Sequence, residues 1–308
     1  MLRQTTVLCL GPPLSAALSL AVQPAWAEVP RVVVDTAPLH SLVAQVMAGV
    51  GTPDLILPPG TSPHDVQLRP SDAARLGDAQ VVIWMGEGLT PWLADPVATL
   101  AADAATLDML ETGGWPRLPL RADADFAQGA RGEGDDPAGA EGDQTGTGQA
   151  DRAADPHAWL DPAVAGIWLG LIAETLATAD PANAGAYRAN ATTAAEAMAA
   201  LRGDLAAALA PVAGQPFIVP HDAYQYLEVA FGLTAIGAIS LSDASDPGPA
   251  RLAGLRDKVA AGDVGCILTD PQTPSGWTDV LRDGTPARTA LVDPDATRFA
   301  PGPDLYPQ

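Results

Sequence analysis

The chain has 308 residues, 47% of them hydrophobic, and a formal net charge of −21. That length can bury a large core as one big domain or two smaller ones. The charge excludes a nucleic-acid partner, because no basic surface is available to replace phosphate counterions, while an acidic surface draws cations over long range.

Arg3 is followed by an apolar run from Thr6 to Val22 and then by Ala25-Trp26-Ala27, a small-x-small cleavage signal. Residues 1–27 therefore read as a secretory signal peptide rather than a membrane anchor, since the run is short and broken at Gly11-Pro12-Pro13. No later segment approaches a transmembrane length by this reading, and an exported, soluble protein is expected. Cys9 falls inside the signal, which leaves Cys266 alone in the mature chain; a small buried apolar role suits it better than a reactive thiol.

Arg31–Asp35 reads as a buried strand, and Pro38–Val50 as a helix with Leu39, Leu42, Val43 and Val46 on one face. A second strand at Asp54–Leu57 ends in Pro58-Pro59-Gly60, which forces a loop carrying Ser62-Pro63-His64-Asp65. Ser71 is placed to cap a short helix to Leu76, Gln80–Trp84 is a third strand, and Thr90-Pro91 opens a helix to about Ala102. Short apolar strands alternating with helices imply an α/β lobe with a largely parallel sheet.

From Arg121 to Ala154 the chain holds seven glycines and eight acidic residues, a composition that predicts a mobile acidic loop. Asp161-Pro162 then provides a capping carboxylate and a proline at the first helical position. Asp180-Pro181 repeats that signal and opens an alanine-rich helix to about Leu209, read as a rigid rod joining two lobes. The second half repeats the alternation: strands at Pro216–Val219, Leu233–Ile239, Gly265–Leu268 and Thr289–Val292, with helices between them. The predicted organisation is an N-terminal lobe at 28–180 with an acidic loop at 121–154, a linking helix at 181–210, and a C-terminal lobe at 211–308. The chain stops at Gln308 without an obvious closing helix, so a truncated C-terminus is expected.

Only four histidines are present, and three of them follow proline: His64, His157 in Asp155-Pro156-His157, and His221 in Pro220-His221-Asp222. Neutral imidazole is a ligand of zinc and its neighbours, and three such side chains far apart in sequence converge only through the fold. His64 and His221 each follow a strand, where open α/β sheets gather ligands, so a metal site in the cleft between the lobes is expected. Asp65, Asp155 and Asp222 are candidates to orient the imidazoles, and Asp293, after the last strand, is a candidate fourth ligand or equally a turn residue before Pro294. His40 lies on the first helix, where a packing role fits better. Three nitrogen ligands favour four-coordinate zinc over manganese, which takes more oxygen.

The stretches PLHSLVAQVMAGV (38–50), SPHDVQLRPSDAARL (62–76), DPHAWLDP (155–162), HDAYQYLEVAFGL (221–233) and DPQ (270–272) resemble the metal-binding components of ABC importers, specifically the ZnuA-type zinc-uptake family. The resemblance implies two α/β lobes joined by a long helix, limited closure on metal, His64, His157 and His221 on the family's zinc histidines, and delivery of Zn2+ from the periplasm to a membrane permease by a monomeric binding protein. Manganese-type relatives commonly carry a carboxylate where this chain has His221. Three departures stand out: the acidic loop has no histidine where many zinc relatives are histidine-rich, Asp270 replaces a common glutamate, and Cys266 lacks the second cysteine that some relatives pair with it. A manganese- or iron-binding importer component is the alternative within the class. A zinc hydrolase and a metal buffer or adhesin are alternatives from outside it; against the hydrolase, no glutamate stands beside a zinc histidine as in HExxH sites.

Overall fold

The computed structural model describes residues 29–58, 60–64, 66–126, 153–242 and 245–308. The signal-peptide assignment, Asp65 and most of the acidic loop lie outside the described residues.

Two four-stranded sheets form the two lobes. In the first, β1 (Val32–Val34), β2 (Asp54–Leu55), β3 (Val81–Trp84) and β4 (Ala105–Asp108) are ordered β2-β1-β3-β4. In the second, β5 (Pro216–Val219), β6 (Thr234–Ala238), β7 (Cys266–Thr269) and β8 (Arg288–Leu291) are ordered β6-β5-β7-β8. Every neighbouring pair is parallel, so the two lobes share one winding pattern. β4 has no counterpart in the sequence reading: Ala105 and Thr106 are exposed at a sheet edge, and an edge strand lacks the continuous apolar run that marks β1 and β3.

Helices cover both faces of each sheet. In the N-terminal lobe α1 (Ala37–Val46), α2 (Pro70–Gly77) and α3 (Ala94–Leu100) pack around the sheet, and α4 (Pro162–Ala179) completes one face. Asp161 caps α4 as its sequence predicts, accepting from Ala163 N at 2.9 Å with Pro162 at the first helical position. By length and composition α4 is apolar enough to cross a bilayer. Its Val164, Trp168, Leu169, Ile172 and Leu176 are buried in the core, however, so the apolar run serves interior packing.

The long helix α5 (Ala184–Leu209) begins later than Asp180-Pro181 suggests. The buried Asp180 carboxylate caps no helix there; it accepts from Asn183 Nδ2 at 2.7 Å and Tyr187 OH at 3.0 Å, pinning the turn between α4 and α5. At about 1.5 Å per residue, α5 spans about 39 Å and leads from the first lobe to β5. Ser71 likewise caps nothing: α2 starts at Pro70, and its first turn is fixed by the buried Asp72, which bonds Arg69 and Arg75. The C-terminal lobe adds α6 (Gln225–Phe231), α7 (Pro249–Ala260) and α8 (Ser275–Arg282). Cys266 is half-buried against Phe217 and Val219, the packing role its sequence context suggests.

The lobes are joined at more than α5. Tyr226 of α6 reaches the first core, where its ring centroid lies 6.2 Å from that of Trp115, which in turn lies 5.6 Å from that of Trp168. Its hydroxyl accepts from Leu118 N at 3.0 Å. After β8 the chain returns across the junction: Trp159 Nε1 donates to Pro294 O at 2.9 Å, and Ser41 Oγ donates to Pro303 O at 3.1 Å.

In each sheet the strand order reverses beside the first strand, between β1 and β3 and between β5 and β7, which creates a crevice beyond their carboxyl ends. The two lobes treat this crevice differently. In the N-terminal lobe Asp35 fills it, accepting from Thr36 N at 2.7 Å, Met85 N at 2.8 Å and Thr90 Oγ1 at 3.1 Å. Burial pushes the Asp35 carboxyl up to about 6, against the pull of those hydrogen bonds. Truncation to Ala would orphan the buried Thr36 and Met85 amides, while Thr90 Oγ1 keeps Gly86 O at 3.2 Å, so Asp35→Ala should destabilise the metal-free protein by about 2–4 kcal/mol in denaturant unfolding. A loss below about 0.5 kcal/mol would show that the network is dispensable.

Candidate metal centre

In the C-terminal lobe the equivalent crevice carries the histidine. β5 ends at Val219, and Pro220 ends the strand and places His221 at the crevice mouth; β7 ends at Thr269 and delivers Asp270 beside it. His221 Nδ1 lies 3.3 Å from Asp270 Oδ2. The other Asp270 oxygen accepts from Gln272 N at 3.1 Å and Thr273 N at 2.6 Å. Burial pushes this carboxyl up, but the bonds from His221 and Thr273 outweigh it and hold Asp270 below the usual carboxylate range.

His157 comes from the loop entering the 3₁₀ turn Ala158–Leu160. Asp155 closes that loop on itself, its Oδ1 accepting from His157 N at 2.9 Å and lying 2.8 Å from His157 Nδ1. The ring packs against Trp159, with centroids 5.3 Å apart. Burial drives the Asp155 carboxyl up to about 7, opposed by the His157 amide and by the nearby Arg121 charge. His64 sits in the loop beyond β2; Ser62 Oγ accepts from its amide at 3.1 Å, and Trp92 Nε1 donates to Pro63 O at 2.8 Å, tying the loop to the first lobe. His157 and His221 are buried, and His64 is half-buried on the solvent side.

These three imidazoles converge, each offering one nitrogen, with all three nitrogens within 4.8 Å of one another. Ring centroids are 5.4, 5.6 and 6.0 Å apart. His64 Nε2 and His157 Nε2 are separated by 3.4 Å. Zinc–nitrogen bonds of about 2.0–2.1 Å in a tetrahedron put neighbouring ligands about 3.3–3.4 Å apart, so this pair already has the spacing of a zinc edge. A proton on Nδ1 of His157 and of His221, facing Asp155 and Asp270, leaves the Nε2 lone pairs for a cation.

The remaining candidates lie elsewhere or do other work. Asp293 is not in the cluster: its oxygens accept from Thr297 N and Arg298 N, both at 2.9 Å, so the carboxylate closes the turn after β8. Asp222 does not orient an imidazole but accepts from Arg121 Nη1 at 2.8 Å. His40 is buried in α1 with Nε2 3.1 Å from Pro53 O, and burial holds its pKa below the usual histidine value. Asp270 is the orienting residue that the sequence reading left unassigned; its place directly after β7, beside the strand that delivers His221, was the signal for it.

Comparison with known proteins identifies the family. The family model "Zinc-uptake complex component A periplasmic" (ZnuA) matches residues 32–308. The high-affinity zinc uptake system protein ZnuA of Paracoccus denitrificans is 41% identical over 306 residues, covering 95% of this chain and 92% of that protein. The corresponding protein of Brucella abortus (strain 2308) is 38% identical over 291 residues, covering 90% and 87%. A crystal structure of ZnuA superposes with a TM-score of 0.73 at 21% identity, covering 88% of this chain and 94% of that one, and so shares the fold. A parallel-sheet lobe pair with three converging histidines, matched along nearly all of its length, belongs to the ZnuA family of periplasmic zinc-uptake components.

Proposed function

We propose that this protein captures Zn2+ in the periplasm through His64, His157 and His221 and hands it to the membrane permease of an ABC importer. The observation that carries the reading is the convergence of three imidazole nitrogens within 4.8 Å, one pair at the spacing of a tetrahedral zinc edge. The names of the Paracoccus and Brucella relatives support zinc as the cargo and uptake as the purpose. The protein acts as a monomer, with lobes at 28–180 and 211–308 divided by the long helix.

Binding rather than catalysis suits the carboxylates around the site. Asp155 and Asp270, which lie against the His157 and His221 rings, are engaged with ring and backbone N–H groups, which orients ligands instead of presenting a base to a bound water. The nitrogen-rich set also disfavours manganese and other oxygen-seeking ions. Asp293 accepts from Thr297 N and Arg298 N, which favours water over Asp293 in the fourth position.

Replacing a ligand should hurt more than replacing the carboxylate that orients it. His64→Ala, His157→Ala and His221→Ala should each weaken zinc binding by more than the roughly 10–100-fold expected for Asp155→Asn or Asp270→Asn. His40→Ala should leave affinity unchanged. Calorimetric titration in competition with a chelator measures all six, and wild-type affinity in any of the three ligand variants would remove that residue from the site.

Acid should release the metal. An imidazole with an ordinary pKa of about 6.5 binds zinc only when neutral, so protons compete increasingly as pH falls through that value. Affinity measured from pH 7.5 to 5.5 should drop steeply below about pH 6. A flat profile across that window would argue against a histidine set.

A further inference from the structure

Arg121 stands at the start of the acidic loop, and its guanidinium makes contacts that zinc ligation does not explain. Nη1 donates to Asp222 Oδ1 at 2.8 Å and to Glu228 Oε1 at 3.0 Å, and Nη2 donates to Glu228 Oε2 at 3.0 Å. The guanidinium also lies 3.9 Å from the ring centroid of Phe126. Asp222 directly follows His221, while Glu228 belongs to α6 and accepts from Ala235 N at 3.3 Å, which ties it to β6. The fork therefore grips the segment that carries His221.

The backbone around Arg121 is bound to the segment that carries His157. Leu120 N donates to Ala153 O at 2.9 Å, and Asp155 N donates to Leu118 O at 2.8 Å, so the two stems of the acidic loop run side by side. Asp155 in turn holds the His157 ring. One residue thus links two metal-binding segments, through its backbone neighbours on one side and its guanidinium on the other. We propose that Arg121 is a positioning residue for zinc binding, fixing the His157 segment against the His221 segment so that their nitrogens stay at ligating distance. The proposal rests on the three-histidine reading above.

The chemistry calls for arginine. The Asp222 and Glu228 carboxylates are met by one planar, rigid fork whose donors are fixed relative to each other. A lysine supplies the charge but only a point contact, so it satisfies the buried acids without setting the register of the two segments. The competing explanation is that Arg121 merely neutralises Asp222 and Glu228, both buried. These two roles separate in experiment.

Zinc release from the full-length protein, followed by chelator chase, should be about tenfold faster in Arg121→Met, with a lowered Tm for the metal-free protein. Adding Asp222→Asn and Glu228→Gln to Arg121→Met removes the orphaned charges and should restore Tm while release stays fast. Recovery of both Tm and release rate in the triple variant would reduce Arg121 to charge neutralisation and overturn the proposal, as would wild-type release from Arg121→Met alone. If the triple variant does not regain its Tm, Arg121→Lys decides: fast release supports positioning, and wild-type release overturns it. Failure of the underlying zinc reading has its own signature, which is absence of saturable zinc binding by the wild-type protein.

Discussion

Three neutral imidazoles held with their lone pairs facing one another repel unless a cation lies between them, so the scaffold must hold them together before metal arrives. Here the restraint falls largely on two buried carboxylates, Asp155 and Asp270, each beside an Nδ1, the first anchored by the amide of His157 and the second by those of Gln272 and Thr273. A carboxylate in that position fixes both the tautomer and the direction of the ring, leaving Nε2 as the donor to metal. Much of the local architecture serves those two residues. The loop from 153 to 157 is zipped to residues 118–120, and Asp270 sits at the end of β7, beside the strand that leads to His221.

The two lobes share one strand order but use the crevice at its reversal point differently. In the first lobe a buried aspartate, Asp35, seals it by accepting three hydrogen bonds. In the second the same position opens to His221 and Asp270. The site is accordingly asymmetric: the C-terminal lobe contributes His221 from the mouth of its crevice, and the first lobe contributes two loop histidines, His64 from beyond β2 and His157 from before α4. His64 is half-buried in a loop where Ser62 Oγ accepts from its amide and Trp92 Nε1 donates to Pro63 O, whereas His157 and His221 are buried.

Much of this was legible in the sequence, for physical reasons that also mark where legibility ended. Buried parallel strands announce themselves as apolar runs, and proline after a strand marks where a loop must project a side chain, so β1, β3, β5 and the three histidines could be placed before any coordinates. β4 was silent because an edge strand with exposed Ala105 and Thr106 carries no such run. Asp-Pro read as a helix start held at Asp161, where the carboxylate caps α4, and slipped at Asp180, where burial beside Tyr187 gave the carboxylate better donors than the amides of α5. Adjacency in sequence pointed to Asp222 as the partner of His221. The fold instead gave that role to Asp270, 49 residues away, and turned Asp222 towards Arg121. Asp155, two residues before His157, was readable from adjacency, whereas the pairing of Asp270 with His221 is a property of strand neighbours, which the chain alone does not list.

The central claim is that His64, His157 and His221 bind one zinc ion together. A crystal structure of the zinc-loaded protein, with anomalous scattering collected on both sides of the zinc edge, tests it most directly. The account predicts a single strong peak at the zinc edge, about 2.0–2.1 Å from one nitrogen of each of the three rings. A peak elsewhere, or one bound by fewer than three of these histidines, would contradict it.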